Sequence, residues 1–532
     1  MHEEQLFIVL LVIAAVVLLA RAVAGRLGVP DAIPLVVLGL AAGFVPGMPE
    51  IEVSSELVLM GFLPPLIYNA AFFTAPREAR ADAVPIVTLA FGLTAVTTFA
   101  VAGTVHLIMP GLGWPAAIAF GAAVAPTDAV AATGVLQRVG APRRLVTILE
   151  GESLINDGVA LTIFGLAVEA LTTEYTFAHG GGRLAQVVLG GVAYGLLVGV
   201  VMRRARRLVD DPSSQIILSL ATPYLAYVPA EHLGVSGVLA TVVAGFHIGT
   251  RGEGLLQPAS RVAGQSFWRV WIFLLESALF VLLGLAIRGV LKDPGDHTWT
   301  GLLLTGLVVS AVVVLIRLAW ELGNGPLADL LPGGRRVQEG LGWRARIVVG
   351  LGGMRGAISL AIALSLPTAV GDERGPLIFL TALVVLVTLV GQASFLPVLL
   401  HFSGLSGADK RAEESMRARK AGLKAAMARL DAMSDAEEVD DRTADAYRQL
   451  LELRLDRVRY FLNEERGEAS EDDEPPGGAH VRAELAKAQR AKLDALYRKG
   501  KIGADTLREI GRELDFADVV TGRGTPRGYQ RE

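Results

Sequence analysis

Residues 148–164 read ILEGESLINDGVALTIF, an apolar stretch with Glu150, Glu152, Ser153, Asn156 and Asp157 near its centre. The surrounding window, 145–170, is long enough to cross a bilayer as a helix, which takes about 20 mostly apolar residues. An ionised carboxylate at the bilayer centre costs about 3 kcal/mol even on lenient insertion scales, so acids there face a partner or a watery cavity and mark a pathway. Glu152 and Asn156 are four apart, as are Ser153 and Asp157, which places two polar pairs on adjoining stripes of one helix. Glu150 is expected toward the cytoplasmic end, outside the site.

The rest of the chain supplies the membrane context. Of the 532 residues, 52% are hydrophobic and 60 are glycine, a profile of integral membrane proteins rather than of one soluble core. Apolar windows recur near 5–24, 30–48, 54–73, 83–108, 115–137, 145–170, 184–202, 214–229, 234–249, 268–290, 299–320, 344–367 and 377–401. The expectation is an all-α integral membrane protein of about thirteen spans, or twelve if a short segment is re-entrant. The first segment lacks a basic flank before it and a small-residue cleavage site after it, so it reads as a retained helix rather than a signal peptide.

Alternate loops carry the arginines: Arg21 and Arg26; Arg77 and Arg80; Arg138, Arg143 and Arg144; 203–207 (RRARR); Arg251 and Arg261; and Arg335, Arg336 and Arg344. The positive-inside rule then puts the N-terminus outside and the C-terminal tail in the cytoplasm. About half of all charged residues follow residue 400, so residues 1–405 are expected in the membrane and 406–532 as a helical cytoplasmic domain. That tail reads as helix, an acidic Pro- and Gly-containing linker at 468–479, and helix.

No cysteine is present, which excludes disulfides, thiolate metal sites and cysteine nucleophiles, and the scattered histidines make no metal pair. No phosphate-binding GxxxxGK[ST] loop occurs, so transport energy would come from an ion gradient. No cofactor and no nucleic-acid partner are expected. Pro126 interrupts the fifth span and frees carbonyls around Ala125 and Thr127. Gly350, Gly352, Gly353 and Gly356 weaken the twelfth span around Arg355. Two interrupted spans in different halves of a multispan chain point to a transporter's midplane site.

Carboxylate, hydroxyl and carbonyl oxygens suit hard cations, and burial favours the protonated form of a carboxylate, so proton and cation compete for one site. The residues thus point to a proton-coupled cation antiporter. Asp128 could instead cap the broken helix, Asn156 is either a brace or a ligand, Glu152 and Arg355 could form a buried ion pair, and Glu276 and Arg317 another outside the site. A passive channel and an intramembrane aspartyl protease are rival readings. The second is disfavoured because the aspartates sit in PTD and IND contexts rather than YD and GxGD.

FLPPLIYNAAF (62–72), APTDAVA (125–131), EGESLINDG (150–158) and GGMRGAISLAIAL (352–364) resemble, in order, the signature segments of the monovalent cation:proton antiporter-1 family. That family comprises bacterial and archaeal sodium/proton antiporters related to animal sodium/hydrogen exchangers. The resemblance implies a homodimer with a dimerisation domain, inverted repeats, a core with crossed broken helices, and elevator-like exchange of Na+ or Li+ for protons across the plasma membrane. It makes Asp157 the ion- and proton-binding carboxylate, with Ser153 and the Thr127 carbonyl as further Na+ ligands and Asp128 beside the crossing. It implies a Glu152–Arg355 ion pair and takes Asn156 as a mark of the electroneutral branch, whose function is pH and sodium homeostasis. Asn69 departs from the pattern, since bacterial members often carry an acid there. Potassium in place of sodium is the nearest alternative.

Overall fold

The computed structural model describes residues 3–27, 31–45, 56, 58–73, 82–128, 132–133, 136, 141–172, 177–252, 257–292, 297–328, 342–403, 408–464, 479–499 and isolated positions beyond. Arg77, Arg80, Arg138, Arg335 and Arg336, and linker residues 468–478, lie outside them. Among the described residues every regular element is helical. The chain divides into two compact units, Met1–Ser406 and Gly407–Glu532.

In the first unit the helices are α1 (Glu3–Leu27), α2 (Ala32–Gly43), α3 (Val58–Phe73), α4 (Val84–Ile108), α5 (Trp114–Val124), α6 (Arg143–Glu169), α7 (Phe177–Arg206), α8 (Pro212–His232), α9 (Gly237–Gly252), α10 (Pro258–Lys292), α11 (Trp299–Ala328), α12 (Trp343–Leu351), α13 (Ala357–Leu364) and α14 (Arg374–Ser403). Helix therefore occupies each of the thirteen apolar windows. Among the described residues, six helices are long and apolar enough to cross a bilayer alone, namely α4, α6, α7, α10, α11 and α14, while α2, α3, α5 and α9 are apolar but short. The shortness of α5, α12 and α13 has a local cause. Pro126 follows the end of α5, and Gly352, Gly353 and Gly356 separate α12 from α13.

Packing follows membrane rules, with small residues inside and large apolar ones outside. On α11, Leu304 and Leu315 are each 63% exposed while Val309 and Val313 are fully covered, so one stripe faces outward and the opposite one faces protein. On α5 the buried residues are largely alanine, and Gly121 lies against the Thr98 carbonyl of α4. A Cβ at Gly39 of α2 would stand 2.7 Å from the Val281 carbonyl oxygen of α10, and one at Gly284 would collide with Val36. That pair lets α2 and α10 meet backbone to backbone. Local capping sets some helix starts: Asp211 accepts a 2.8 Å hydrogen bond from the Ser214 amide and Pro212 opens α8, the arrangement favoured at a helix N-terminus.

α6 is surrounded by α3, α4, α5, α9, α12 and α13. Its polar face therefore meets other helices along its length, which a face carrying four polar side chains requires.

In the second unit α15 (Ala408–Asp435) and α16 (Asp441–Glu464) pair as a hairpin, and α17 (Ala479–Arg498) follows. Met416, Val458 and Leu462 form the small apolar seam of the hairpin, flanked by Leu423 and Tyr460. Asp440 caps α16 by accepting from the Thr443 amide at 3.1 Å.

Candidate cation site

The two interruptions meet. The Asp128 amide donates to the Met354 carbonyl at 2.6 Å, and Arg355 Nε donates to the Val124 carbonyl at 3.1 Å. Groups freed by one break are thus partly satisfied by the other, the condition for irregular backbone at membrane depth. Gly356 makes the approach feasible, because a Cβ there would overlap the Asp128 carboxylate.

α6 docks its polar face on this crossing. Ser153 Oγ donates to the Thr127 carbonyl at 2.8 Å. Asn156 Nδ2 donates to Thr127 Oγ1 at 2.8 Å, and Thr127 Oγ1 donates in turn to Glu152 Oε1 at 3.3 Å. Thr127 is thereby clamped from three positions of one helix. Asn156 acts here as a brace behind the site, while among the described residues its buried Oδ1 has no hydrogen-bond partner.

Glu152 is 1% exposed, and its partner is Arg317, not Arg355. Arg317 Nη2 donates to Glu152 Oε2 at 2.7 Å and Nη1 to Oε1, a two-pronged pair of the strong, planar kind that guanidinium favours. Arg317 also donates to the Val349 carbonyl near the end of α12 through Nε and Nη2, both at 3.3 Å. Gly353 gives it room, since a Cβ there would strike the Arg317 side chain. The expected Glu152–Arg355 ion pair is therefore corrected. Arg355 is equally buried, yet its guanidinium is taken by the Val124 and Gly353 carbonyls, and its amide donates to Thr388 Oγ1 at 3.3 Å. The physical reason is the open C-terminal end of α5, whose carbonyls attract a cation.

The expected Glu276–Arg317 pair falls with it. Glu276 lines the same cavity as Asp157. This cavity, of about 80 Å³, is also lined by Asn69 of α3, Thr127 and Asp128 of the first break, Ser153 of α6, and Gly356 and Ser359 at the start of α13. Among the described residues, none that lines it is basic. Asp157 is 4% exposed and has no hydrogen-bond or ion-pair partner among the described residues. The structure thus brings Asn69, Thr127, Asp128, Ser153 and Asp157 to one cavity, and sets Glu152, Asn156 and Arg355 behind it.

Glu276 and Ser359 were missed as cavity residues. The signal for Glu276 was available, because an acid in the apolar run FLLESALF needs a purpose. Ser359 carried no signal of its own.

Known proteins agree with this architecture. The transmembrane profile of the sodium/hydrogen exchangers matches residues 11–401. An uncharacterised Na+/H+ exchanger of Mycobacterium tuberculosis is 30% identical over 527 residues, covering 96% of this chain and 95% of that one. A sodium, potassium, lithium and rubidium/H+ antiporter of Bacillus pumilus is 29% identical, covering 91% of this chain and 74% of its own. The sodium proton antiporter of Methanocaldococcus jannaschii has a similar fold, with TM-score 0.59 and 19% identity over 74% of this chain and 98% of its own. A profile that spans most of the chain, together with a relative matched nearly end to end, places this multi-pass cation/proton antiporter in the sodium/hydrogen exchanger family.

Proposed function

We propose that the protein exchanges Na+, and with it Li+, for protons across the plasma membrane, in the service of pH and sodium homeostasis. The observation that carries this reading is the Asp157 carboxylate, buried and, among the described residues, without a hydrogen-bond or ion-pair partner at a cavity that Ser153 and Thr127 also line. A carboxylate in such a place holds a proton or a cation but not both, and that exclusion is the coupling step of an antiporter. Ser153 Oγ and the Thr127 carbonyl are the further Na+ ligands, with Asp128 alongside. Sodium is supported by the names of the relatives from Mycobacterium tuberculosis and Methanocaldococcus jannaschii. The name of the Bacillus pumilus protein favours potassium as a second reading.

Exchange is one for one. Asn156 cannot titrate and Glu152 is paired with Arg317, so in this reading Asp157 is the carboxylate that alternates between proton and cation. The hydrogen bonds between the two breaks support movement of the crossing as one body within a homodimer. The arginine-bearing alternate loops support an external N-terminus and a cytoplasmic tail.

The test is reconstitution into liposomes with a pH-sensitive dye and addition of Na+, Li+ or K+ in turn. Proton movement driven by Na+ and Li+ is expected, with an acid limit that shifts to lower pH as cation rises. Cation flux without proton counterflow would make the protein a channel. Provided K+ is not a substrate, a valinomycin diffusion potential should leave the rate unchanged, because an electroneutral cycle gives about 2.3 kcal/mol per charge per 100 mV nothing to act on.

A further inference from the structure

Two polar side chains at the cavity belong to no interaction described so far. Glu276 projects from α10, a helix that packs on α2, α8, α13 and α14 and lines the cavity beside the crossing of the two breaks. Among the described residues it has no hydrogen-bond or ion-pair partner. Ser359 sits in the first turn of α13, is 1% exposed and lines the cavity, and among the described residues its Oγ has no hydrogen-bond partner. A buried hydroxyl without a hydrogen bond costs about 1–3 kcal/mol, and a carboxylate at membrane depth costs at least as much. Both costs disappear if an oxygen-seeking cation occupies the space between them.

The cavity has the dimensions for this. At about 80 Å³ it exceeds several-fold the roughly 10–15 Å³ that one water needs on the same measure, so a cation fits together with water. Asn69, on the α3 wall, offers a neutral amide oxygen rather than a carboxylate, so Glu276 of α10 and Ser359 of α13 add to the oxygen donors of the cavity.

We propose that Glu276 and Ser359 are ligands of the transported monovalent cation, Glu276 directly or through one water and Ser359 through Oγ, completing from α10 and α13 the shell begun by Asp157, Ser153 and Thr127. The inference rests on the cation site assigned above. It makes α10 a wall of the binding site rather than only a packing partner, and makes Glu276 a determinant of cation affinity.

The experiment measures Na+ binding and exchange on the full-length protein. Binding is read from the Na+-dependent rise in melting temperature in detergent, and exchange from the liposome assay. Glu276→Gln is expected to raise the half-saturating Na+ concentration about tenfold in both, Glu276→Asp to recover part of the loss, and Ser359→Ala to raise it about threefold. Melting without Na+ should stay at or above the wild-type value, because each variant removes a buried polar group that lacks a partner when the cation is absent. Wild-type Na+ dependence in Glu276→Gln overturns the proposal, as does a loss of Na+-free stability that Glu276→Asp does not restore. Asp157→Asn is the control: if it too leaves Na+ binding intact, the site assignment itself fails, whereas a defect in Asp157→Asn alone rejects only Glu276 and Ser359.

Discussion

Glu152 and Asp157 lie five residues apart on α6, buried to 1% and 4% exposure. The Glu152 side meets Arg317, whose guanidinium takes both carboxylate oxygens and is itself anchored to Val349. The Asp157 side meets a cavity that, among the described residues, has two more carboxylates and no basic side chain. Burial therefore does not separate a paired acid from the one proposed to carry the ion. The partner does: a charge neutralised within the fold is fixed, and a charge left without one is available to an ion.

The strongest way to break this contrast is Asp157→Asn, which should abolish exchange while leaving melting in detergent at or above the wild-type value, because an uncompensated charge becomes a neutral isostere. Near-normal exchange in that variant would mean that the unpartnered carboxylate is not the coupling group. Next in size is Glu152→Gln. Stranding Arg317 should cost about 3–5 kcal/mol, read as a large fall in melting temperature, and adding Arg317→Met should recover much of it. Arg355→Met sharpens the assignment. It removes hydrogen bonds from a charged donor to carbonyls, worth about 1.5–3 kcal/mol, and should not be rescued by Glu152→Gln. Equal rescue of both arginine variants would restore Arg355 as the partner of Glu152.

The smallest effect belongs to an exposed carboxylate of the tail. Hydrogen bonds from the Thr443 side chain and amide hold the Asp440 carboxyl below its ordinary range. A depressed folded value stabilises above the unfolded value and is lost as pH falls through the folded one. Amide exchange at 441–444 in the full-length protein should thus quicken only on acidification below about pH 4, and Asp440→Ala should remove that acid dependence.

The sequence made some of this contrast legible. Pro126 and the glycines at 352, 353 and 356 located both breaks, and the four-residue spacings along α6 located its polar face. The pairing of charges was not legible. Glu152, Glu276, Arg317 and Arg355 can be matched in two ways, and helical spacing says which face a residue occupies but not which distant helix covers it. The outcome was decided by the unpaired carbonyls at the end of α5, which claimed Arg355, and by the bare Cα of Gly353, which admitted Arg317.

The long-range bonds around the crossing also set a timetable for biosynthesis. Arg317 follows Glu152 by 165 residues and Met354 follows Asp128 by more than 200. At about 5–20 residues per second, a growing chain carries Glu152 in the membrane for roughly 8–33 s before its counter-ion exists, and Asp128 for longer. During that interval water or a proton must stand in for the missing partner. A ribosome that stalls before residue 317 therefore leaves behind not a partial transporter but a set of helices with an unmatched buried acid, a species suited to recognition by membrane quality control.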